Sequence, residues 1–390
     1  MMDATKLTAP CDTARQLSGK DPERTILAVI AKRTYDLHPD GSLTVAAEQV
    51  PIAGEPVDDE ENRRLLLHDF DAYPHKPLTD VVVKGHAQGR GRRRFEVAVR
   101  AGEHEKRILV RGDRRCGVSG TGSPVFPEPE PVDTVPLRYS HAYGGLDVAA
   151  ETKYGNPLKK ILGKATSEES GNPDDASLFL YPRNFAGKGY VVEAERKALE
   201  GLELPNLEDP LDPLSPERLV VGDPFRWDRM PLPQATDWMS YAWFPRRAYF
   251  GAPPAARRPG EAPLEERRGL ALPGLLDVRE PTLEMGFRLM CGASLGLQIP
   301  HLTGGETIEL EGIHASSETF AFKLPKRAPK LWIDARDGTL RQTKDVVIHT
   351  VVVEPDAGRV TVLWRGSGKA KRSYLPKELE TMPFELEWRD

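Results

Sequence analysis

The stretch DVVIHTVVVEPDAGRVTVLWRG, residues 345–366, contains two β-branched runs on either side of Glu-Pro-Asp-Ala-Gly. Proline, aspartate and glycine favour turns, whereas valine, isoleucine and tryptophan favour strands. Val360, Val362 and Trp364 alternate with other residues and therefore share one face of the second run. The pattern predicts a long β-hairpin, and it favours a mainly β fold for the chain.

Strand signals of the same kind lie towards both ends of the chain. TILAVIAKRTYDL (25–37) predicts an opening strand. DVVVKGHA (80–87), RFEVAVRA (94–101) and KRILVRGD (106–113) predict three strands of an N-terminal β meander. TIELEGI (307–313) and ETFAFKLP (318–325) predict a further C-terminal hairpin. We expect the N-terminal and C-terminal antiparallel regions to form one shared, sandwich-like sheet system.

The middle of the chain has little periodicity. The sequence has 35 prolines and 34 glycines in 390 residues, which favours turns and irregular chain over long helices. One short helix is predicted at 191–200, ended by Gly201. The predicted organisation is a flexible N-terminus (1–21), an N-terminal β meander (22–122), an irregular aromatic-rich middle (123–256), an insertion (257–299), a C-terminal β region (300–366) and a C-terminal tail (367–390).

The net charge, the lengths of the apolar runs and the cysteine spacing argue against several classes of protein. The formal net charge is −5, so general attraction to nucleic acid is not expected, and the basic run GRGRRR (89–94) is expected to stay solvated. No run of about 18 apolar residues predicts membrane insertion, and the charged N-terminus does not resemble a signal peptide. Three widely spaced cysteines predict neither a disulfide framework nor a zinc site. We therefore expect a cytoplasmic protein.

Searches for catalytic motifs give no constellation to support an enzyme. A phosphate-binding loop, a G-x-S-x-G nucleophile and an H-E-x-x-H zinc motif are all absent from the sequence. We assign no catalytic residue, cofactor or metal. The acidic stretches EPEPVD and LEDPLD are typical of solvated loops, although paired acids of a glycosidase would have the same composition. A hydrolase or binding module acting on cell-wall glycan or peptide therefore stays an alternative.

The stretch HKPLTDVVVKGHA (75–87) places a group of polar residues before a valine run. Pro77 cannot donate to a β-ladder, and it forces Lys76 into an extended conformation. Thr79 and Asp80 have side chains that hydrogen-bond turns. We interpret the four residues as a structural corner. Asp80 as a general base is the alternative, but no partner lies at a defined spacing.

Aromatic side chains are concentrated in the middle of the chain. Large amphipathic side chains in glycine-rich loops either pack irregular chain together or form a recognition surface. A carbohydrate-binding platform would have a similar composition. The candidate partner-binding residues are Tyr139, Tyr143, Tyr154, Tyr181, Phe185, Tyr190, Trp227, Arg229, Trp238 and Trp243.

Several stretches, in order, resemble one family. LLLHDFDAYPHKPLTDVVVKGHA followed by KRILVRGDR is similar to its D-x-x-P-x-K-P-x-T-D-V-x-x-x-G and V-x-G-D-R blocks, and the second block adds Gly112, Asp113 and Arg114 to the structural-corner residues. RYSHAYGG, YPRNFAGKGY and LELPNLEDP resemble its central landmarks, and GGETIELEGIH its closing strands. The family is the type VI secretion accessory family, domain of unknown function 2169, and the resemblance covers about residues 22 to 366.

The resemblance implies a non-enzymatic adaptor or chaperone. Such a protein would bind a secreted effector and help to load it onto the spike-tip protein of a type VI or related contractile injection apparatus. The sequence departs from the family pattern in two places, and both concern partner choice. Gly222-Asp223-Pro224 replaces a G-F-G-P stretch before Trp227 and Arg229. Residues 257–299 resemble an insertion relative to the pattern. A permanent structural component of an injection particle is a further alternative.

Overall fold

The computed structural model describes residues 8–10, 26–73, 76–155, 177–244, 246, 290–334, 338–369 and 382–389. The chain divides into two compact units. Unit 1 comprises residues 1–85, 98–106 and 236–390, and unit 2 comprises residues 86–97 and 107–235. Both units are therefore discontinuous in sequence, unlike the linear order of regions that the sequence predicts.

The described residues are mainly β, as predicted. The strands, in chain order, are β1 (Thr8–Pro10), β2 (Ile26–Leu37), β3 (Leu43–Val45), β4 (Val57–Asp58), β5 (Leu66–His68), β6 (Thr79–Val83), β7 (His86–Arg92), β8 (Arg94–Ala101), β9 (His104–Arg111), β10 (Gly117–Val118), β11 (Pro124–Val125), β12 (Val132–Pro136), β13 (Tyr143–Gly144), β14 (Lys188–Gly189), β15 (Leu207–Glu208), β16 (Gln298–Ile299), β17 (Thr307–Glu311), β18 (Thr319–Lys323), β19 (Lys330–Ile333), β20 (Arg341–Gln342), β21 (Lys344–Glu354), β22 (Arg359–Lys369) and β23 (Phe384–Glu387).

Helical structure in the described part of the chain is short. It consists of the α-helices α1 (Val148–Tyr154) and α2 (Arg196–Leu199), and of 3-10 turns at Tyr139–His141, Pro216–Arg218, Pro224–Arg229 and Pro355–Ala357. Helix α2 lies inside the predicted segment 191–200, and Gly201 follows it with a φ of 80°. No helix among the described residues is long and apolar enough to cross a membrane.

The predicted hairpin 345–366 is confirmed and lies in the main sheet of unit 1. β21 pairs antiparallel with β22, and Gly358 adopts a left-handed φ of 60° in the turn between them. Val360, Val362 and Trp364 are all fully buried, as their alternation predicts. β2 pairs with the other edge of β22, from Ile26 to Asp36. β22 is therefore hydrogen-bonded to a neighbouring strand on both of its edges.

The N-terminal and C-terminal β regions share this sheet, which also confirms the prediction. Its strand order is β1-β2-β22-β21-β6-β16, and β3 pairs with β2. β6 pairs parallel with β21, from Asp80 opposite Thr350 to Val83 opposite Val353. The valine run therefore pairs with a strand about 270 residues away, and it does not continue into β7 as a meander. All five residues of β6 are buried, and its three valines follow one another without the alternation of a half-buried strand.

The remaining strand pairs of unit 1 can be compared with the regions that the sequence predicts. β17 and β18 form the predicted hairpin, and residues 98–101 of β8 pair with β17. Of the predicted insertion, residues 257–289 lie outside the described residues, and β16 pairs with β6 at the end of that segment. Of the predicted flexible N-terminus, only β1 is described, and it pairs with β2. The predicted tail contains the end of β22 and, further on, β23, which pairs with β19.

Unit 2 consists mostly of short strand pairs and irregular chain around an aromatic core. β7 pairs with β12, β10 with β11, and β13 runs parallel to β14. The Asn184 side-chain amide donates to the Tyr139 and Tyr143 carbonyls at 2.8 and 3.1 Å. Such side-chain bonds replace the ladder bonds that irregular backbone lacks, because buried carbonyls need donors.

Candidate protein-binding site

Most of the aromatic residues predicted to bind a partner are core residues. The buried ones are Tyr139, Tyr143, Tyr181, Phe185, Tyr190, Trp227, Trp238 and Trp243. Tyr154 and Arg229 are exposed. A buried side chain cannot contact a partner while its unit stays folded, so an aromatic groove lined by the whole set is not present. Aromatic rings in glycine-rich and proline-rich loops are buried here because irregular chain has few other apolar groups to pack.

Three tyrosines form the centre of the unit 2 core. The ring of Tyr181 lies 5.1 Å from that of Tyr143, at 71°, and 5.3 Å from that of Tyr190. The Tyr181 hydroxyl donates to the Pro231 carbonyl at 2.9 Å, and burial raises the pKa of this phenol. The cluster therefore holds three separate loops together and stays in its neutral form.

The structural corner of unit 1 is a buried ion pair with additional hydrogen bonds. The Lys76 ammonium donates to Asp80 Oδ2 at 2.6 Å and to Thr350 Oγ1 at 3.3 Å. The backbone N–H groups of Gly292 and Ala293 donate to the Asp80 carboxylate at 2.8 and 3.1 Å. Lys76 and Asp80 are both fully buried. All of these partners belong to the fold itself, which is how buried charges are retained in structural sites.

Thr79 and Pro77 complete this corner. The Thr79 hydroxyl donates to the Ile348 carbonyl at 2.5 Å and accepts from the Leu302 backbone N–H at 3.1 Å. Pro77 is half-buried and precedes β6. His75, from the same stretch, lies outside the described residues. The hydroxyl joins β6 to β21 and to the chain after β16, which is the structural role that the sequence suggests.

The second corner lies in unit 2 and depends on close backbone approach. A Cβ on Gly112 would lie 1.8 Å from the Glu130 carbonyl oxygen, so only glycine fits there. Asp113 accepts from the Asn206 side chain at 2.9 Å, and Arg114 pairs with Glu208. These bonds hold the segment after β9 against the chain that contains β15.

A buried histidine beside the first corner makes stability depend on pH. Burial, followed by the nearby Lys76 and Arg365 charges, lowers the pKa of His349 well below its usual 6.5. The unfolded chain therefore binds a proton below pH 6.5 that the folded chain does not. Stability is complete above that pH and falls as the pH drops towards the folded pKa. Burial also lowers the pKa of His68 and His301, and that of His141 to about 4.

We expect the urea midpoint of the protein to fall between pH 7.5 and pH 5.5, and His349→Gln to reduce that fall. Each histidine of this kind contributes a loss of up to about 1.4 kcal/mol per pH unit below 6.5. Urea unfolding at three pH values measures the slope. The matched control is His104→Gln, because His104 is exposed and its replacement should keep the wild-type slope. An unchanged slope in His349→Gln would contradict the assignment.

A 3-10 turn in unit 2 directs one aromatic side chain inward and another outward. The Asp223 carboxylate accepts the Phe225 backbone N–H at 2.9 Å and caps the turn Pro224–Arg229. Trp227 is buried, with the Arg183 guanidinium 5.0 Å from the centre of its ring. Residues two apart in a 3-10 turn project in different directions. Phe225 consequently faces solvent, with 69% of its surface exposed.

A neighbouring turn presents a second apolar side chain to solvent. Leu211 is 94% exposed. Arg218 pairs with Asp212, next to Leu211, and donates to the Arg229 carbonyl at 3.3 Å. Arg218 therefore links the turn that carries Leu211 to the end of the turn that carries Phe225.

We call the exposed and half-exposed residues of these two turns the Phe225 surface: Leu211, Arg218, Phe225, Arg226 and Arg229. Aromatic and arginine side chains contribute the largest share of binding energy in protein interfaces. Two exposed apolar side chains and three arginines on two linked turns would suit a partner segment that carries both apolar and acidic residues. This is the candidate site.

Sequence reasoning identified only part of this surface. Arg229 is in the predicted set and is exposed, whereas Leu211 and Phe225 are not in it. One signal was present: Asp223 and Pro224 form a helix-start pattern directly before Phe225. Trp227 is packed under Arg183, which comes from a part of the chain more than 40 residues away and gives no local sequence signal. In the part of the chain that the structure describes, no cluster of His, Cys, Asp or Glu has an arrangement suited to a metal.

Comparison with known proteins gives one result at the level of family. No curated protein and no solved structure matches the chain significantly. One family model matches residues 22–365, which is most of the chain and close to the span that the motifs predict. The chain therefore belongs to the bacterial family described as "Uncharacterized protein conserved in bacteria (DUF2169)".

Proposed function

We propose that this protein is a non-enzymatic, cytoplasmic adaptor. It binds a secreted effector and helps to load it onto the spike of a type VI or related contractile secretion apparatus. The motif resemblance to type VI accessory proteins motivates the secretion role. The observation that carries the binding role is the Phe225 surface, where Phe225 and Leu211 are exposed on two turns that Arg218 links.

The distribution of polar groups supports binding over catalysis. The carboxylate of Asp80, the candidate general base, accepts hydrogen bonds from Lys76 and from the backbone N–H groups of Gly292 and Ala293. Burial also keeps His141 and His349 neutral by lowering their pKa values. The exposed apolar groups and the arginines of the Phe225 surface are instead placed where another chain can reach them.

An adaptor must also release its cargo. A surface with two apolar anchors is small compared with a permanent interface, which usually buries more than 2,000 Å². The exposed arginines would accelerate capture of an acidic segment, and the few apolar contacts would keep the dissociation rate high. Handover to the spike is compatible with such an affinity.

The test is binding to effector candidates encoded beside the gene, with the tagged full-length chain. We expect Phe225→Ala with Leu211→Ala to weaken effector binding at least about 30-fold, because truncating residues at the centre of an interface costs about 2 kcal/mol or more. Isothermal titration calorimetry measures the dissociation constant, and circular dichroism checks the fold. The matched control is Leu67→Ala, which truncates an exposed leucine of unit 1.

Three results would refute parts of this proposal. Wild-type affinity in the folded double variant would exclude the Phe225 surface as the binding site. Presence of the protein in the purified, assembled spike particle would favour a permanent structural component over an adaptor. Effector binding that survives both arginine and aromatic substitutions would move the site elsewhere on the molecule.

A further inference from the structure

A small sheet in unit 1 ends with a strand that lies outside the family-matched residues. β19 is the central strand of the order β20-β19-β23. β19 and β20 fall inside residues 22–365, whereas β23 does not. We call the edge of β19 that pairs with β23 the β19 edge. The family match therefore includes the β19 edge but does not include β23 itself.

The pairing of β23 with β19 separates apolar and charged side chains onto two faces. Directly opposite residues in an antiparallel pair share a face. On one face, Leu331 lies opposite Leu386 and Ile333 opposite Phe384. Leu331 and Ile333 are buried, and Phe384 and Leu386 are half-buried against them.

The other face is charged. Lys330 lies opposite Glu387, and its ammonium contacts both carboxylate oxygens, at 2.8 and 2.9 Å. Trp332 lies opposite Glu385, and the Lys330 ammonium is 5.8 Å from the Trp332 ring. The β19 edge thus selects an extended segment in which apolar and acidic residues alternate, and Phe-Glu-Leu-Glu fits that requirement.

The backbone register gives β23 an outer edge. The Asp334 backbone N–H donates to the Pro383 carbonyl at 3.1 Å. Because hydrogen bonding alternates along an antiparallel pair, the backbone groups of Glu385 and Glu387 face β19, and those of Phe384 and Leu386 face away. Among the described residues no strand pairs with that outer side. β23 therefore has a backbone partner on one side only, over four residues, and short edge strands are the kind of element that opens locally.

We propose that the β19 edge is a second protein-binding site and that β23 occupies it as a displaceable internal strand. The partner is an extended segment of alternating apolar and acidic residues, which replaces residues 384–387 and pairs antiparallel with β19. Strand addition of this kind takes its affinity from backbone hydrogen bonds and its specificity from alternate side chains. The site is independent of the Phe225 surface.

The test uses the full-length chain and a fluorescein-labelled peptide, MPFELEWR, with the sequence of residues 382–389. In the variant Phe384→Ser with Leu386→Ser, the internal strand loses its apolar contacts. Fluorescence anisotropy should then show peptide binding at least about tenfold tighter than to the wild type, where the internal strand competes. A second variant, Glu385→Lys with Glu387→Lys, weakens the internal strand through charge and should give the same increase.

Two further measurements identify the site. Adding Lys330→Glu to either variant should weaken peptide binding by about fivefold, whereas Lys323→Glu, at an exposed position on β18, should not. In the wild type, saturating peptide should speed hydrogen exchange at the amides of Glu385 and Glu387. Phe225→Ala should leave peptide binding unchanged, which separates this site from the effector site proposed above.

Three outcomes would overturn the proposal. The first is that the peptide binds neither variant, although exchange in β21 and β22 shows that the sheet is intact. The second is that the peptide binds the wild type and slows exchange at residues 384–387, because it would then extend the outer edge of β23. The third is that Lys330→Glu and Lys323→Glu have equal effects.

Discussion

Replacement of Asp80 by alanine is expected to lower the free energy of unfolding by about 3–5 kcal/mol, the usual cost of leaving one member of a buried ion pair alone. The Lys76 ammonium would remain among buried groups, 5.2 Å from the Tyr73 ring and 5.8 Å from the Trp238 ring. The amides of Gly292 and Ala293 would also lose their acceptor. Urea unfolding measures the change.

Companion variants separate the two contributions of Asp80. Lys76→Met should cost less than Asp80→Ala, because the carboxylate keeps both backbone donors. Lys76→Met combined with Asp80→Asn should be more stable than Asp80→Ala, since neither position then carries an unpaired charge and one amide acceptor remains. Arg196→Ala is the surface control, as its pairing with Glu200 is mostly exposed, and its midpoint should not move. A wild-type midpoint for Asp80→Ala would show that the corner does not stabilise unit 1.

Replacement of Arg246 by methionine is expected to cost a similar amount, about 3–5 kcal/mol. Arg246 is fully buried and donates to three acceptors: the Met239 carbonyl at 2.5 Å, Asp69 Oδ2 at 2.7 Å and the Tyr73 hydroxyl at 3.0 Å. Methionine fills similar volume without donors, so the Asp69 carboxylate would stay buried without its counter-charge. Urea unfolding, followed by circular dichroism, gives the difference.

Arg246→Lys tests whether the stabilisation by Arg246 comes from the forked geometry of its guanidinium group or from its positive charge. A lysine keeps the charge but has one nitrogen, whereas Arg246 uses two nitrogens for its three acceptors. We expect this variant to recover only part of the loss. Arg115→Met, at an exposed pair with Glu203, should leave the midpoint unchanged. Full recovery in Arg246→Lys would show that charge alone stabilises the site.

The parts of the fold that were predictable are those with local signals. The hairpin of β21 and β22 was predictable because alternation of apolar residues and the turn Glu-Pro-Asp-Ala-Gly lie within 22 consecutive residues. The hairpin of β17 and β18 is of the same kind. The structural interpretation of Lys76, Thr79 and Asp80 followed from turn chemistry beside a valine run; in the structure Lys76 bonds Asp80, and Thr79 bonds the Ile348 carbonyl.

The candidate site was less predictable, because aromatic composition does not specify exposure. Trp227 and Phe225 lie two residues apart with similar neighbours, yet one is buried under Arg183 and the other faces solvent. The ion pair of Asp69 with Arg246 joins residues 177 positions apart in sequence. No local sequence pattern around Asp69 or Arg246 indicates that the two residues pair.

The sequence alone therefore determined the mainly β class, the local hairpins, the turn residues and the family. These depend on side-chain periodicity and backbone preferences that act over a few neighbouring residues. Tertiary structure alone decided that β6 pairs parallel with β21, that most of the aromatic side chains form a core, and that Leu211 and Phe225 are left at the surface. Burial depends on which distant segments pack together, and a single sequence does not record the distances between its own residues.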